Sequence, residues 1–192
     1  MKELELRILE EGRALDGDVL KIDSFLNHQV DTLLLEHVGE EFRRLFDDPE
    51  INKILTIESS GIAIATFTAR HYNYIPVVFG KKMAASNMSE ETFSSHVHSF
   101  TRNRDFVVSV AKNYLNPGDK VLIIDDFLAT GDALRALIDI CHQAGATVAG
   151  CGIVVEKTYM GGAKVVRDAG VRLESLAKIS YMDKDIIQFE SE

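Results

Sequence analysis

Val121-Leu122-Ile123-Ile124-Asp125-Asp126-Phe127-Leu128-Ala129-Thr130-Gly131-Asp132-Ala133 is the stretch whose reading decides the fold. Its four leading apolar residues predict a buried strand, with two acids emerging at the strand's end. The small residues from Ala129 to Ala133 let the backbone curl so that successive N–H groups and the start of a helix face one anion. A dianionic phosphate is the natural guest. Each such contact is charge-assisted and contributes about 1.5–3 kcal/mol, so a few of them hold a phosphate firmly. Asp125 and Asp126 share the sign of that charge and cannot serve it. They suit ribose hydroxyls, a Mg²⁺ ion or a developing positive charge.

Downstream, a helix beginning near Gly131 buries Leu134, Leu137, Ile138 and Cys141, and Gly145 caps its C-terminus. Thr147 to Val155 and Val171 to Ile179 read as two further strands. Upstream, Pro117-Gly118-Asp119 forms a turn, and Phe93 to Phe100 with Asp105 to Val110 flank the polar tip Thr101-Arg102-Asn103-Arg104 as a β-hairpin. Gly80 to Glu91 lacks periodicity and reads as a mobile surface loop. Ile54 to Ile57 is a short β-branched strand ending in Glu58-Ser59-Ser60-Gly61, followed by a helix from Ile62 to Tyr72 and a strand from Tyr74 to Phe79. Val30, Leu34, Val38, Phe42 and Leu45 recur at helical spacing across residues 30–46. The alternation predicts a single α/β domain with a mainly parallel sheet flanked by helices, whose ligands gather at the C-terminal ends of the strands.

The chain has 192 residues, 46% of them hydrophobic, enough for one domain with a buried core. Thirty acids against 21 bases give a net charge of -9, which repels a phosphate backbone and disfavours general nucleic-acid binding. No run approaches the length needed to span a bilayer, and the N-terminus has no apolar signal core. Cys141 and Cys151 sit among apolar residues and read as free buried thiols of a cytoplasmic protein. His28, His71 and His142 show neither metal nor triad spacing; His96 and His98 share one face of a strand and could bind a metal, although the solvent face of a hairpin is the favoured reading, and His37 falls within the helix of residues 30–46.

The run from Val121 to Ala133 resembles the phosphoribosyl pyrophosphate (PRPP) signature of type I phosphoribosyltransferases: apolar strand, two acids, two apolar residues, then small-Thr-Gly-x-small. The resemblance implies the type I fold, with an N-terminal hood formed largely by residues 1–30 with C-terminal segments, and a flexible loop. It implies that Ala129, Thr130, Gly131, Asp132 and Ala133 hold the 5-phosphate and that Asp125 and Asp126 contact the ribose hydroxyls. Phe127 is bulkier than the aliphatic residue usual there. Asp132 brings a negative charge, and the expectation is that its N–H serves the phosphate while its carboxylate points away.

In the same enzymes the turn equivalent to Thr56-Ile57-Glu58-Ser59-Ser60-Gly61 receives pyrophosphate, which assigns Ser59 and Ser60 to it. Phe79-Gly80-Lys81-Lys82 adds two cations after a strand; Lys81 stands where an Arg is common and lacks its bidentate fork. Lys157, after Ile153-Val154-Val155-Glu156, can only donate hydrogen bonds and so favours a 6-oxo over a 6-amino purine. Val19-Leu20-Lys21-Ile22-Asp23-Ser24-Phe25-Leu26-Asn27-His28-Gln29-Val30-Asp31 is closely similar to the N-terminal segment of bacterial xanthine phosphoribosyltransferases, in which the positions of Leu20 and Asn27 contact the base. Asn27 as N-cap of the following helix is the plain structural alternative. The resemblance therefore implies conversion of xanthine and PRPP to xanthosine 5′-monophosphate and pyrophosphate, with Mg²⁺ bound together with PRPP rather than at a protein-only metal site, in a homodimer. Two other readings stay open at this point: hypoxanthine or guanine as the base, and a non-catalytic PRPP-sensing regulator.

Overall fold

The structure, a computed structural model, describes residues 1–16, 18–83, 91–99 and 104–191. In chain order it comprises α1 (Lys2–Glu11), a small hairpin of β1 (Arg13–Leu15) and β2 (Val19–Lys21), a π-helical turn (Asp23–Asn27), α2 (Thr32–Leu45), β3 (Lys53–Ile57), α3 (Ser60–Arg70) and β4 (Val77–Met83). There follow β5 (Thr92–Ser99), β6 (Arg104–Ala111), β7 (Lys120–Leu128), α4 (Asp132–Gln143), β8 (Thr147–Lys157), α5 (Gly162–Asp168), β9 (Leu173–Asp183) and β10 (Ile186–Phe189).

Among the described residues the main sheet runs β10-β9-β8-β7-β3-β4-β6-β5. β9, β8, β7, β3 and β4 are mutually parallel, and antiparallel pairs close both edges. This is the mainly parallel sheet expected from the alternation of strand and helix.

The pleat sorts the strand residues into two cores. Ile54, Leu122 and Ile124 face Leu34, Leu35, Val38 and Phe42 of α2 and Ile64 of α3. Leu55, Ile57, Val121 and Ile123 face Leu134, Leu137, Ile138 and Cys141 of α4. Phe42 is fully buried, contributing about 1.5–3 kcal/mol on area grounds. Its ring lies so close to Gly152 that a Cβ there would stand 2.8 Å from Phe42 Cε1. α2 starts at Asp31, whose carboxylate accepts from the N–H groups of Leu33 and Leu34, both at 3.1 Å. Asp31 is thus the N-cap, and Asn27, four residues earlier, is not.

Several boundaries differ from the sequence reading. β7 continues through Asp125, Asp126 and Phe127 to Leu128, because β8 pairs with it as far as Leu128 opposite Glu156. The acids therefore belong to the strand. β4 begins at Val77, not Tyr74, since Asn73 and Tyr74 take left-handed backbone angles (φ 58° and 60°) in a turn. It runs on to Met83, where a loop was expected from Gly80, because Lys81, Lys82 and Met83 pair with Ser109, Val108 and Val107 of β6. The rest of that expected loop, 84–90, and the hairpin tip, 100–103, lie outside the described residues. The hairpin strands themselves are present as β5 and β6, with Arg104 in β6 rather than in the tip. α5 and β10 had no reading in the sequence.

The N-terminal elements pack against the far end of the chain. The Met1 amino group donates to the Leu176 carbonyl, and the Asp185 N–H donates to the Ala14 carbonyl at 3.2 Å. No helix of the described residues is long and apolar enough to cross a membrane. Cys141 and Cys151 are free and buried, and burial raises both thiol pKa values, that of Cys141 to about 12.

Candidate active site

The C-terminal ends of β3 and β7 and the amino end of α3 border a cleft of about 560 Å³. Asn27, Glu58, Ser59, Ser60, Gly61, Lys82, Phe106, Asp125, Asp126 and Ala133 line it, so it gathers groups from opposite halves of the chain. A smaller recess of about 110 Å³ lies over the turn from Phe127 to Leu134 and contains all five of Ala129, Thr130, Gly131, Asp132 and Ala133. Ala133 borders both hollows.

The turn between β7 and α4 has the shape its small residues suggested. Gly131 adopts φ +87°, and a Cβ there would stand 2.9 Å from the Gly162 carbonyl oxygen. The Gly162 N–H donates to the Ala129 carbonyl at 3.0 Å, so the start of α5 buttresses the turn from below. Asp132 differs from expectation. Its carboxylate turns back onto the turn, accepting from the Thr130 hydroxyl at 2.7 Å, with Arg135 at 3.3 Å from its other oxygen. A hydroxyl donor two residues away offers a carboxylate more than open solvent does, and Arg135 one helical turn on balances its charge.

Asp125 is buried, with 4% of its surface exposed, and Asp126 stands beside it, partly exposed. Burial, reinforced by the charge of Asp126, pushes the Asp125 carboxyl well above the usual carboxylate range. The Asp126 N–H donates to Asp125 Oδ1 at 3.0 Å, and the Phe127 N–H donates to Asp126 Oδ1 at 2.9 Å. Gly61 permits α3 to approach these strands: a Cβ on it would come within 2.0 Å of Thr56 Oγ1 and 3.2 Å of Asp125 Oδ1. Ser59 is the N-cap of α3 and makes no side-chain cap hydrogen bond. Glu58 ties the turn to β4, its Oε1 accepting from the Lys82 N–H at 2.7 Å.

The two lysines of β4 part company. Lys82 lines the cleft, with Nζ 5.7 Å from the centre of the Phe106 ring. Lys81 instead borders a larger, mainly apolar hollow of about 640 Å³ with Val77, Phe79, Val110 and Tyr114, apart from the acids. Adjacent residues of a strand point to opposite faces, and a lysine pair assigned to one site could not both reach it from the same strand.

Lys157 ends β8, as expected, and is 9% exposed. Its Nζ lies 5.7 Å from the centre of the Phe127 ring and donates to the Asp18 carbonyl. Burial lowers its pKa, and the Asp18 carboxylate opposes that shift. Leu20 lies in β2 with 6% of its surface exposed, in the same core cluster as α2 and two residues beyond Asp18. Asn27 reaches the cleft; Leu20 and Lys157 are not part of its lining.

The sequence assigned no site role to Glu58, Phe106, Gly162, Asp18 or Tyr159, although Glu58 stands within the turn read for pyrophosphate. Only the Gly161-Gly162 pair carried a local signal, as a turn followed by close backbone approach. Among the described residues no group of three or more His, Cys, Asp or Glu side chains could hold a metal ion. His96 is exposed on β5, and His37 pairs with Glu3 at 2.9 Å at the surface.

Comparison with known proteins agrees with this geometry. Residues 26–186 match the family model described as phosphoribosyl transferase domain. The chain is 50% identical over 190 residues to xanthine phosphoribosyltransferase 2 of Clostridium botulinum, covering 99% of this chain and 100% of that one. It is 51% identical over 191 residues to the xanthine phosphoribosyltransferase of Clostridium novyi, with both chains covered in full. Among solved structures, the adenine phosphoribosyltransferase of Rhodothermus marinus superposes with a TM-score of 0.75 at 24% identity, over 93% of this chain and 99% of that one, a likeness of fold.

Proposed function

Because the chain belongs to the phosphoribosyl transferase family, with the α/β fold of its type I members, we propose that it is a purine salvage enzyme. It transfers the phosphoribosyl group of PRPP to xanthine, giving xanthosine 5′-monophosphate and pyrophosphate. The observation that carries this reading is that Asn27, from the N-terminal segment, borders the same cleft as Asp125, Asp126 and Ala133. A base-recognising amide and a phosphoribosyl cradle then face one substrate volume. Relatives sharing about half their residues along the whole length are named for xanthine.

In this reading the N–H groups of Ala129 to Ala133 bind the 5-phosphate, and the recess over that turn is the seat for it. Ser59, Ser60 and Lys82 receive the pyrophosphate; Lys81, on the other face of β4, adds positive charge nearby rather than a direct contact. Asp125 and Asp126 hold the ribose hydroxyls and face the positive charge that develops as the anomeric C–O bond breaks through an oxocarbenium-like state. Asn27, in the cleft lining, and Lys157, outside that lining but over the Phe127 ring that borders the phosphate recess, are assigned to the oxo groups of the base, with Leu20 behind them in the hood. The hood is the segment of about residues 1–30 with C-terminal strands, a reading supported by the Asp185 to Ala14 hydrogen bond.

Mg²⁺ bound with PRPP fits the donor set. Three carboxylates border the cleft, and Glu58 is engaged by the Lys82 N–H, which leaves Asp125 and Asp126, too few for a protein-only cage, so the ion's remaining oxygens would come from substrate and water. Asp125 and Asp126 would hold it, and when bound it neutralises charge on the pyrophosphate oxygens. The net charge of -9 argues against nucleic acid as a partner. The enzyme is read as a cytoplasmic homodimer on family grounds.

The test is pyrophosphate release from PRPP with xanthine, guanine, hypoxanthine and adenine assayed in parallel. The expected order has xanthine highest in kcat/KM and adenine lowest. Preference for guanine or hypoxanthine would move the assignment within 6-oxopurines, and silence with every base would replace catalysis with PRPP sensing.

A further inference from the structure

Three residues close a ring across the chain at the end of β8. The Tyr159 hydroxyl donates to Asp18 Oδ1 at 3.1 Å, and Lys157 Nζ donates to the carbonyl of the same Asp18. Tyr159 and Lys157 are two residues apart, whereas Asp18 lies in the N-terminal hairpin between β1 and β2, 141 positions before Tyr159. One residue of the hairpin is therefore held by both its side chain and its backbone oxygen.

We propose that Asp18 and Tyr159 are positioning residues that orient the Lys157 ammonium toward the purine, an inference that rests on the proposed function of the cleft. A lysine side chain is a flexible four-carbon stem ending in three N–H donors, and unaided it presents them in no fixed direction. Here one donor is committed to the Asp18 carbonyl, and the ammonium rests over the Phe127 ring. Those two restraints confine Nζ and leave its other donors for an oxygen of the base.

The carbonyl orients Lys157 only if Asp18 is itself held. Asp18 has φ +60°, a left-handed conformation that Asp adopts more readily than most residues but that still carries a cost for any side chain-bearing residue. The hydrogen bond from Tyr159 offsets that cost by anchoring the Asp18 carboxylate to the segment that carries Lys157. Partial desolvation of the Tyr159 hydroxyl and the Asp18 carboxylate beside it raise the phenol to about 12, so it stays a donor at neutral pH. The hairpin thus contributes to base recognition without touching the base.

The experiment compares Tyr159→Phe, Asp18→Ala and Asp18→Asn with the parent enzyme in steady-state kinetics and in amide hydrogen exchange of the ligand-free protein. Loss of one hydrogen bond in Tyr159→Phe should raise KM for xanthine about fivefold, with kcat within about twofold and KM for PRPP unchanged. Exchange across residues 13–21 should quicken. Asp18→Ala should behave alike, and Asp18→Asn, which keeps an acceptor for Tyr159, should stay close to the parent. Unchanged xanthine KM and unchanged exchange in Tyr159→Phe would overturn the assignment, as would a joint decline of kcat and of affinity for both substrates. Should the parent enzyme turn over no purine, the functional reading fails by itself, and the exchange measurement still decides whether Tyr159 holds the hairpin.

Discussion

Lys81 and Lys82 are neighbours in sequence and face opposite sides of β4, so that Lys82 borders the cleft of Asp125 and Lys81 borders a separate apolar hollow. The pleat makes the two positions unequal. Replacing Lys82 with Ala should raise KM for PRPP by about tenfold or more, the scale of one charge-assisted contact. Lys81→Ala should change it by less than a third as much. Equal effects in PRPP titrations of the two variants would show that Lys81 reaches the substrate by another route.

Asp126 lines the cleft, and in the proposed reaction it faces the positive charge that appears as the anomeric C–O bond breaks. Its carboxylate also accepts from the Phe127 N–H at 2.9 Å, which Asn can still do through its amide oxygen. Asp126→Asn should therefore lower kcat by about 100-fold, a typical loss for one group aimed at developing charge. Xanthine binding, followed by calorimetry in the presence of pyrophosphate, should weaken by far less.

Asp125 makes a prediction about stability. Its carboxyl is raised above the ordinary value of 3.8 by burial and by Asp126. The folded chain then holds this proton over a range in which the unfolded chain has released it, so stability falls as pH rises from that ordinary value through the raised one. Below that window the cost is absent. Asp125→Asn, which removes the buried charge, should melt higher than the parent at pH 7 and lose this advantage as the pH is lowered below about 4. Thermal melts at pH 3.5 and 7 with an equal difference at both would contradict this.

Gly131 combines a left-handed backbone with close packing on Gly162. Gly131→Ala meets both obstacles, the φ of +87° and the Gly162 oxygen 2.9 Å from the new methyl. A loss of about 1–3 kcal/mol in denaturant unfolding is expected, together with a higher KM for PRPP. Gly118 offers the control: its φ is +89° but a Cβ would meet nothing within 4 Å, so Gly118→Ala should cost backbone strain alone and leave KM unchanged.

What the sequence by itself determined about this protein was the part written locally. The run from Val121 to Ala133 required a buried strand, two acids and a tight anion-facing turn, because apolar β-branched residues, carboxylates and small residues at that spacing have few other uses. Lys157 at the end of β8 was legible for the same reason. Even there the boundary was misread. The sequence alone ends the strand at Ile124, whereas pairing with β8 carries it to Leu128 and turns two loop acids into strand acids, one of them buried.

Only the tertiary structure decided the relations between distant segments. The sorting of Lys81 from Lys82 follows from the register of β4 on β6, and the extent of β4 itself depends on that pairing. Asn27 joins Asp125 in one cleft because α2 is capped by Asp31, leaving Asn27 at the end of the π-helical turn. The ring of Asp18, Lys157 and Tyr159 has no local signature at all, since a hydrogen bond spanning 141 positions leaves no periodicity in the chain. Composition and spacing report what a segment can do next to its neighbours. Which face of which strand meets which hairpin is settled by packing two cores around one sheet.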